Sequence, residues 1–414
     1  MKTLNYIDTI INPSILHDRI NHHVDFGKNE ATNHLNNTHA KPFVIKSSKG
    51  VTLTDTDNNK FIDFNLSQGA NILGHTPVKV LDSIEEALWD GINQEMPTLV
   101  ENLLAESIKE AMPSMEQVRL MNSGIEAVND AIRLARAYTG KRMVIKFGGS
   151  FHGNPTQFNL SSKGIPVEFT KLTVSLPYNN QDAIAETFLK YQDDIAAIIV
   201  EPVPSSIGVV LPKAGFLQFL RELTFKHRSL LIFDEITTGF RPRITGAQGY
   251  FGITPDLTVL GKIVGGGFPV GAFGGKSEIM SSIECESEGS MHSITATAGL
   301  ATLKRLKSPL FYETLNHKSR DFTYWLQEIS KDKGIVVNSF QSMFSIFFSD
   351  KEITNYNDVK NSDVKRFNRF TSKLLDEGVY LSQSRFEANF VSMAHLPEDL
   401  NRMLEVMFKV LKRM

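Results

Sequence analysis

Two short apolar runs, each closed by a charged residue, constrain this chain more than anything else in it. Leu230-Leu231-Ile232-Phe233 delivers Asp234 at its carboxyl end, and Leu257-Thr258-Val259-Leu260 delivers Lys262 just ahead of Gly265, Gly266 and Gly267. Runs that are apolar throughout, rather than alternating, suit strands covered on both faces, the situation of a parallel sheet between helices. Further strands are expected at Gln117–Met121, Met143–Phe147 and Ala196–Val200, with helices such as Glu126–Tyr138 and Phe216–His227 between them. A sheet of this kind takes its ligand beyond the carboxyl ends of its strands. The polar residues falling there are Asn122-Ser123-Gly124, Glu201, Asp234 and Lys262, supplied by separate strands to one edge.

The rest of the chain is arranged around that sheet. The first forty residues are polar and read as a peripheral arm. Short strands are expected at Gly50–Asp55 and Lys60–Phe64, joined by the turn Asp57-Asn58-Asn59, and a helical stretch from Leu81 to Ala111 is broken at Pro97. Beyond Gly299 come a helical stretch from Leu300 to Lys331 and strand-like Val336–Asn338 and Met343–Phe348. A helix near Val364–Glu377, a short strand Val379–Leu381 and a last helix from Pro397 complete the pattern. The expected class is α/β, with an arm and small-domain segment at 1–68, a large domain at 69–299 and a smaller α+β domain at 300–414.

Composition excludes more than it identifies. Hydrophobic residues make up 41% of the 414 and charged ones 22%, an ordinary globular balance. A net charge of −2 supplies no field for nucleic acid or an anionic membrane. No apolar run is long enough to span a bilayer, and the start of the chain does not read as a signal peptide. The one cysteine, Cys285, rules out an internal disulfide and fits a reducing compartment, so a cytoplasmic protein is expected. The 11 histidines show no metal-ligand spacing; His22-His23 reads as solvated loop, and no metal is expected.

Three features carry chemistry. A strand-end lysine and a strand-end carboxylate are what a pyridoxal 5'-phosphate site requires: Lys262 for the Schiff base, Asp234 for the protonated pyridine nitrogen. Ser123-Gly124-Ile125-Glu126 fits a helix-opening capping box, and the N–H groups at such an end can hold a phosphate. Phe147-Gly148-Gly149-Ser150-Phe151-His152-Gly153 follows another strand. Phe151 either stacks on a flat cofactor or fills the core, and His152 either supports the phosphate end or caps a turn.

Taken together, Asn122–Ala127, Phe151–Gly153, Phe233–Arg241 and Leu260–Gly267 resemble the class III aminotransferases, and within them the glutamate-1-semialdehyde 2,1-aminomutases. The similarity runs on through Gly246-Ala247-Gln248, Thr254–Thr258, Pro269–Gly275 and Phe386–Phe390, covering nearly everything from Lys41 onward. The resemblance implies the fold of type I pyridoxal phosphate enzymes, with a mainly parallel seven-stranded sheet, and a homodimer with shared active sites. It implies Lys262 as the cofactor lysine, Asp234 as its pyridinium partner, Ser123 and Gly124 at the phosphate and Ile236 against the ring. Glu387 falls beside the substrate, and Ser290 or Ser293 reaches the partner's phosphate.

The departures from that pattern bear on the reaction. Ile125 stands where the family usually has Thr, Phe151 where it has Tyr, and Ser206 where the aminomutases point an Asn at the ring oxygen. A pocket Trp becomes Gln68, the N-terminal Arg has no counterpart in Thr38–Phe43, and the segment from Asn154 to Leu176 is shorter than the aminomutase gating loop. An aminomutase must retain its intermediate, so a lid is part of its mechanism. The expected activity is therefore a ping-pong aminotransferase using an amine donor and a carbonyl acceptor, with the aminomutase as the alternative. Arg385 is the candidate replacement cation, sharing a face with Glu387 if Ser384–Glu387 is strand, or merely pairing with it. A silent binding protein on the same fold would have no need of the Lys262 amine.

Overall fold

The computed structural model describes residues 44–91, 96–153, 165–282 and 291–414. The strands are β1 Ile45–Lys49, β2 Thr52–Asp55, β3 Lys60–Asp63, β4 Gln117–Met121, β5 Met143–Phe147, β6 Thr173–Leu176 and β7 Ile195–Val200. They continue as β8 Leu230–Asp234, β9 Leu257–Gly261, β10 Gly271–Gly275, β11 Ile335–Phe340, β12 Met343–Phe348, β13 Val379–Tyr380 and β14 Asn389–Phe390. The helices used below are α1 Val78–Trp89, α2 Leu99–Ala111, α3 Gly124–Thr139, α4 Gln181–Tyr191, α5 Phe216–Lys226 and α6 Gly246–Phe251. After them come α7 Ser293–Leu306, α8 Phe311–Ser330, α9 Tyr356–Asn361, α10 Val364–Asp376 and α11 Pro397–Leu411.

Seven strands form the central sheet in the order β4-β10-β9-β8-β7-β5-β6. All neighbours are parallel except β10, which runs antiparallel to both β4 and β9. Every residue of β7, β8 and β9 is buried, as strands lacking alternation require. Helix α3 packs its small face, Ala127, Ala131 and Ala135, with Val128 and Ile132, across β7 to β10. Alanines let that helix lie close to the sheet, so its amino end comes to rest beside the carboxyl end of β9.

Strand β10 escaped sequence reading because three of its five residues are glycine, which usually weakens a strand. Here close approach demands it: a Cβ on Gly271 would collide with the backbone of Ser123 and Gly124, the start of α3. The helical stretch from Leu300 to Lys331 is in fact two helices, α7 and α8. They part at Ser308-Pro309-Leu310, where proline cannot continue the hydrogen-bond ladder and Leu310 turns left-handed at φ 63°.

Two small sheets complete the fold. Strands β11, β12 and β14 form an antiparallel sheet, while β1, β2 and β3 join β13, with β3 and β13 parallel. Residues 45–63 and the last third of the chain therefore share one sheet. A cluster of Phe64, Phe322 and Phe344, with ring centroids 5.4–5.9 Å apart, packs β3 against α8 and β12. This seats the turn after β3 at the mouth of the central sheet.

Replacing Gly271 with Ala is expected to cost about 1–3 kcal/mol, the usual penalty for overpacking a closed interior. Urea unfolding measures it, and cofactor affinity should fall in the same variant because the displaced atoms belong to Ser123 and Gly124.

Candidate active site

Asp234 ends β8 and is almost fully buried, with 3% of its surface exposed. Its Oδ2 lies 2.6 Å from Nδ1 of buried His152, and its Oδ1 accepts the Ile236 N–H at 3.1 Å. His152, read from sequence as either a support for the phosphate end or a turn cap, meets the Asp234 carboxylate through Nδ1, a contact its sequence position did not suggest.

Lys262 follows β9 directly, at φ 50°, and opens a tight turn through Gly265. Its Nζ donates to Thr237 Oγ1 at 2.8 Å, and Ser205 Oγ lies 3.0 Å from the same hydroxyl. Burial and the neighbouring Arg241 guanidinium lower the Lys262 pKa to about 8, against the opposing pull of Glu201, Asp234 and Glu387. Thr237 and Arg241 had no role assigned from sequence. Their position, directly after a strand-end aspartate, was the signal available.

Glu201 is buried at the end of β7 and accepts from Ser206 Oγ at 2.5 Å and from the Ser205 N–H at 3.0 Å. Desolvation, followed by the nearby Asp234 charge, raises its pKa. Ser206 Oγ in turn accepts the Phe151 N–H at 2.9 Å. That relay fixes the backbone of Phe151, whose ring is 62% exposed. Phe151 is therefore not a core residue: its ring is open to a ligand.

Ser123 caps α3, accepting the Glu126 N–H at 3.3 Å, while Glu126 Oε2 accepts the N–H groups of Asn122 and Ser123. The next two N–H groups, of Gly124 and Ile125, have no acceptor inside the helix. Ile236 lies against Gly124, where a Cβ would stand 2.8 Å from Ile236 Cδ1. Ile125 is exposed beside Gly153. Ser293 is buried at the start of α7; Ser290 lies outside the described residues, as do Cys285, His22, His23, Thr38–Phe43 and the first part of the segment from Asn154 to Leu176. The last part of that segment is β6, a strand of the central sheet rather than loop.

On the substrate side, Gln68 is exposed on a turn in which Leu66, Ser67 and Gln68 all have positive φ, at 50°, 55° and 55°. Such residues cost about 1–3 kcal/mol each and persist only where the surroundings over-determine them. Glu387 accepts from Ser382 Oγ at 2.6 Å and acts electrostatically on Lys262. Arg385 does not join it. Ser384–Glu387 is a turn, closed by Glu387 N–H on the Ser384 carbonyl, so residues two apart do not share a face. Arg385 instead donates to the Ser362 carbonyl at 2.6 Å and lies over the Phe386 ring.

These residues fit pyridoxal 5'-phosphate. Asp234 presents a buried, oriented carboxylate, Lys262 an amine of lowered pKa, α3 two N–H donors that have no acceptor within the helix, and Phe151 and Ile236 apolar surfaces. Because burial disfavours the protonated amine, covalent capture of the cofactor by apoenzyme is expected to quicken as pH rises through about 8 and to slow below it. Stopped-flow absorbance across that range checks this.

Comparison with known proteins gives a consistent picture. The family description "Aminotransferase class-III" matches residues 34–396. Glutamate-1-semialdehyde 2,1-aminomutase of Natranaerobius thermophilus is 39% identical over 407 residues, covering 94% of this chain and 95% of that protein. Among solved structures, an omega-transaminase from Sphaerobacter thermophilus superposes with a TM-score of 0.90 at 28% identity, over 98% of both chains. A transaminase with PLP bound superposes with a TM-score of 0.86 at 25% identity, over 97% of both.

Proposed function

We propose that this chain, which belongs to the class III aminotransferases and uses pyridoxal 5'-phosphate, moves an amino group from an amine donor to a separate carbonyl acceptor in a ping-pong exchange. The bound cofactor supplies an electron sink for the carbanion that forms at the substrate carbon. Lys262 Nζ would hold the cofactor and, when freed by an amine donor, would serve as the base and acid that moves the substrate's proton. An amine with a pKa of about 8 can both accept and return a proton near neutrality. Asp234, steadied by His152, keeps the ring nitrogen protonated. The N–H groups of Gly124 and Ile125, with Ser123, would hold the phosphate, and Phe151 and Ile236 would offer apolar contact to the ring. Glu201 and Ser206 hold Phe151 in place.

The observation that carries the two-substrate reading is the substrate side itself. Gln68 offers a neutral amide where the aminomutases place Trp, and Arg385 is committed to the Ser362 carbonyl instead of facing Glu387. A second reading, glutamate-1-semialdehyde 2,1-aminomutase, is favoured by the 39% identity to a relative of that name and by Glu387 in its matching position. We expect the holoenzyme mixed with an amine donor alone to release about one equivalent of carbonyl product per site, read by mass spectrometry. Lys262→Ala should release none. Rapid formation of 5-aminolevulinate from glutamate 1-semialdehyde, with no donor present, would decide for the second reading.

The same proposal includes a homodimer in which Ser290 or Ser293 reaches the partner's phosphate. Helices α1 and α2 both pack on α7, yet leave Val78, Leu81, Trp89, Leu99 and Leu103 exposed, an apolar surface suited to a second copy. Among the described residues no helix is long and apolar enough to cross a membrane. The near-neutral charge and lone cysteine support work in the cytoplasm. Light scattering should give twice the chain mass for wild type, and Trp89→Glu with Leu99→Glu should lower it towards one chain. A fully active wild-type monomer would remove the shared-site part of the proposal.

A further inference from the structure

Among the described residues Arg241 is the largest side chain with no exposed surface, and no carboxylate pairs with it. A buried guanidinium without a counter-ion is costly, so its contacts should explain why it is there. Its Nε donates to the Thr237 carbonyl at 2.9 Å and its Nη2 to the Gly69 carbonyl, while its face lies 4.6 Å from the centre of the Phe390 ring.

Both carbonyls belong to the site. Thr237 carries the hydroxyl that receives Lys262 Nζ. Gly69 closes the left-handed turn that displays Gln68. The fit there is tight: a Cβ on Gly69 would stand 2.7 Å from Arg241 Nη2 and 2.6 Å from Phe390 Cε1. The turn's other anchors come from its own flanks. Asp63 Oδ1 accepts the N–H groups of Asn65 and Leu66, Asn65 accepts the Gln68 N–H at 2.8 Å, and Asn71 Nδ2 donates to Ser67 Oγ at 3.1 Å. Asp63 is itself held by His75 at 2.7 Å. Arg241 is the hydrogen-bonded anchor that crosses from this turn to the loop after β8.

We infer that Arg241 is a positioning residue for amino transfer: its guanidinium staples the Leu66–Gly69 turn to the Thr237 backbone, setting Gln68 and the Lys262 amine in one register. The inference deepens the proposed function and rests on Lys262 being the reacting amine. Geometry makes arginine necessary, because one planar fork spans two carbonyls on different segments while stacking on Phe390. Its charge also favours the neutral form of Lys262.

Two variants test this, Arg241→Lys, which keeps the charge but not the fork, and Arg241→Met, which keeps neither. In holoenzyme, amide exchange over residues 66–72 should rise about tenfold in both, with Leu231–Phe233 in β8 unchanged. The pH midpoint for cofactor capture by apoenzyme should move up in Arg241→Met, which removes a like charge, and stay near wild type in Arg241→Lys. Exchange over 66–72 equal to wild type in Arg241→Lys overturns the staple, and so does loosening spread evenly over the sheet with no movement of the midpoint. If Arg241→Met does not fold, Arg241→Lys decides alone: faster exchange confined to 66–72 with a raised donor KM supports the inference, and wild-type values of both overturn it. Failure of wild-type apoenzyme to capture cofactor is a separate result, which sinks the proposed function whatever the exchange shows.

Discussion

The structure depends on keeping several charges out of water at one edge of a sheet. Asp234, Glu201 and Arg241 are buried within reach of Lys262, and none would be tolerated there alone. Each is held by named donors or acceptors: His152 on Asp234, Ser205 and Ser206 on Glu201, backbone carbonyls on Arg241. The balance leaves the lysine amine easier to deprotonate than in water, while both carboxylates remain oriented. Parallel strands make this possible, since their carboxyl ends deliver side chains from β7, β8 and β9 to the same edge.

Precision at that edge comes from backbone more than from side-chain mass. The alanine face of α3 and the glycines of β10 bring the helix start within contact of the sheet, so its first N–H groups sit at the strand ends. Opposite, the turn at Leu66–Gly69 holds three residues in a conformation that only glycine adopts readily, and a ring of polar contacts keeps it there. Strain of this kind fits a wall that must present one side chain in one place. It also explains why Gly69 and Phe390, distant in sequence, meet at Arg241.

A third buried carboxylate shows the same economy used for structure alone. Glu235, next to Asp234, accepts the N–H groups of Ala247 and Gln248 at 2.6 and 3.0 Å and so caps α6. Desolvation raises its pKa, yet these donors and Gln248 Nε2 satisfy both of its oxygens. Adjacent acids thus serve different ends: Asp234 is the last residue of β8, while Glu235 begins the loop beyond it and meets the start of α6.

What the sequence determined by itself was whatever depends on local pattern. The apolar runs ending in Asp234 and Lys262 foretold the parallel core and its ligand edge, because uninterrupted hydrophobicity needs cover on both faces. The capping box at Ser123 was legible for the same reason: its partners lie three residues apart. Tertiary structure alone decided the rest. That His152 turns to Asp234, that Arg385 leaves Glu387 for Ser362, and that Arg241 joins Gly69 to Thr237 are contacts between segments far apart in the chain. Nor did the sequence reveal β10, whose glycines look like a breaker until the Ser123 backbone is placed against them. Periodicity reports which face of an element is buried; it carries no record of which distant atom the buried group will meet.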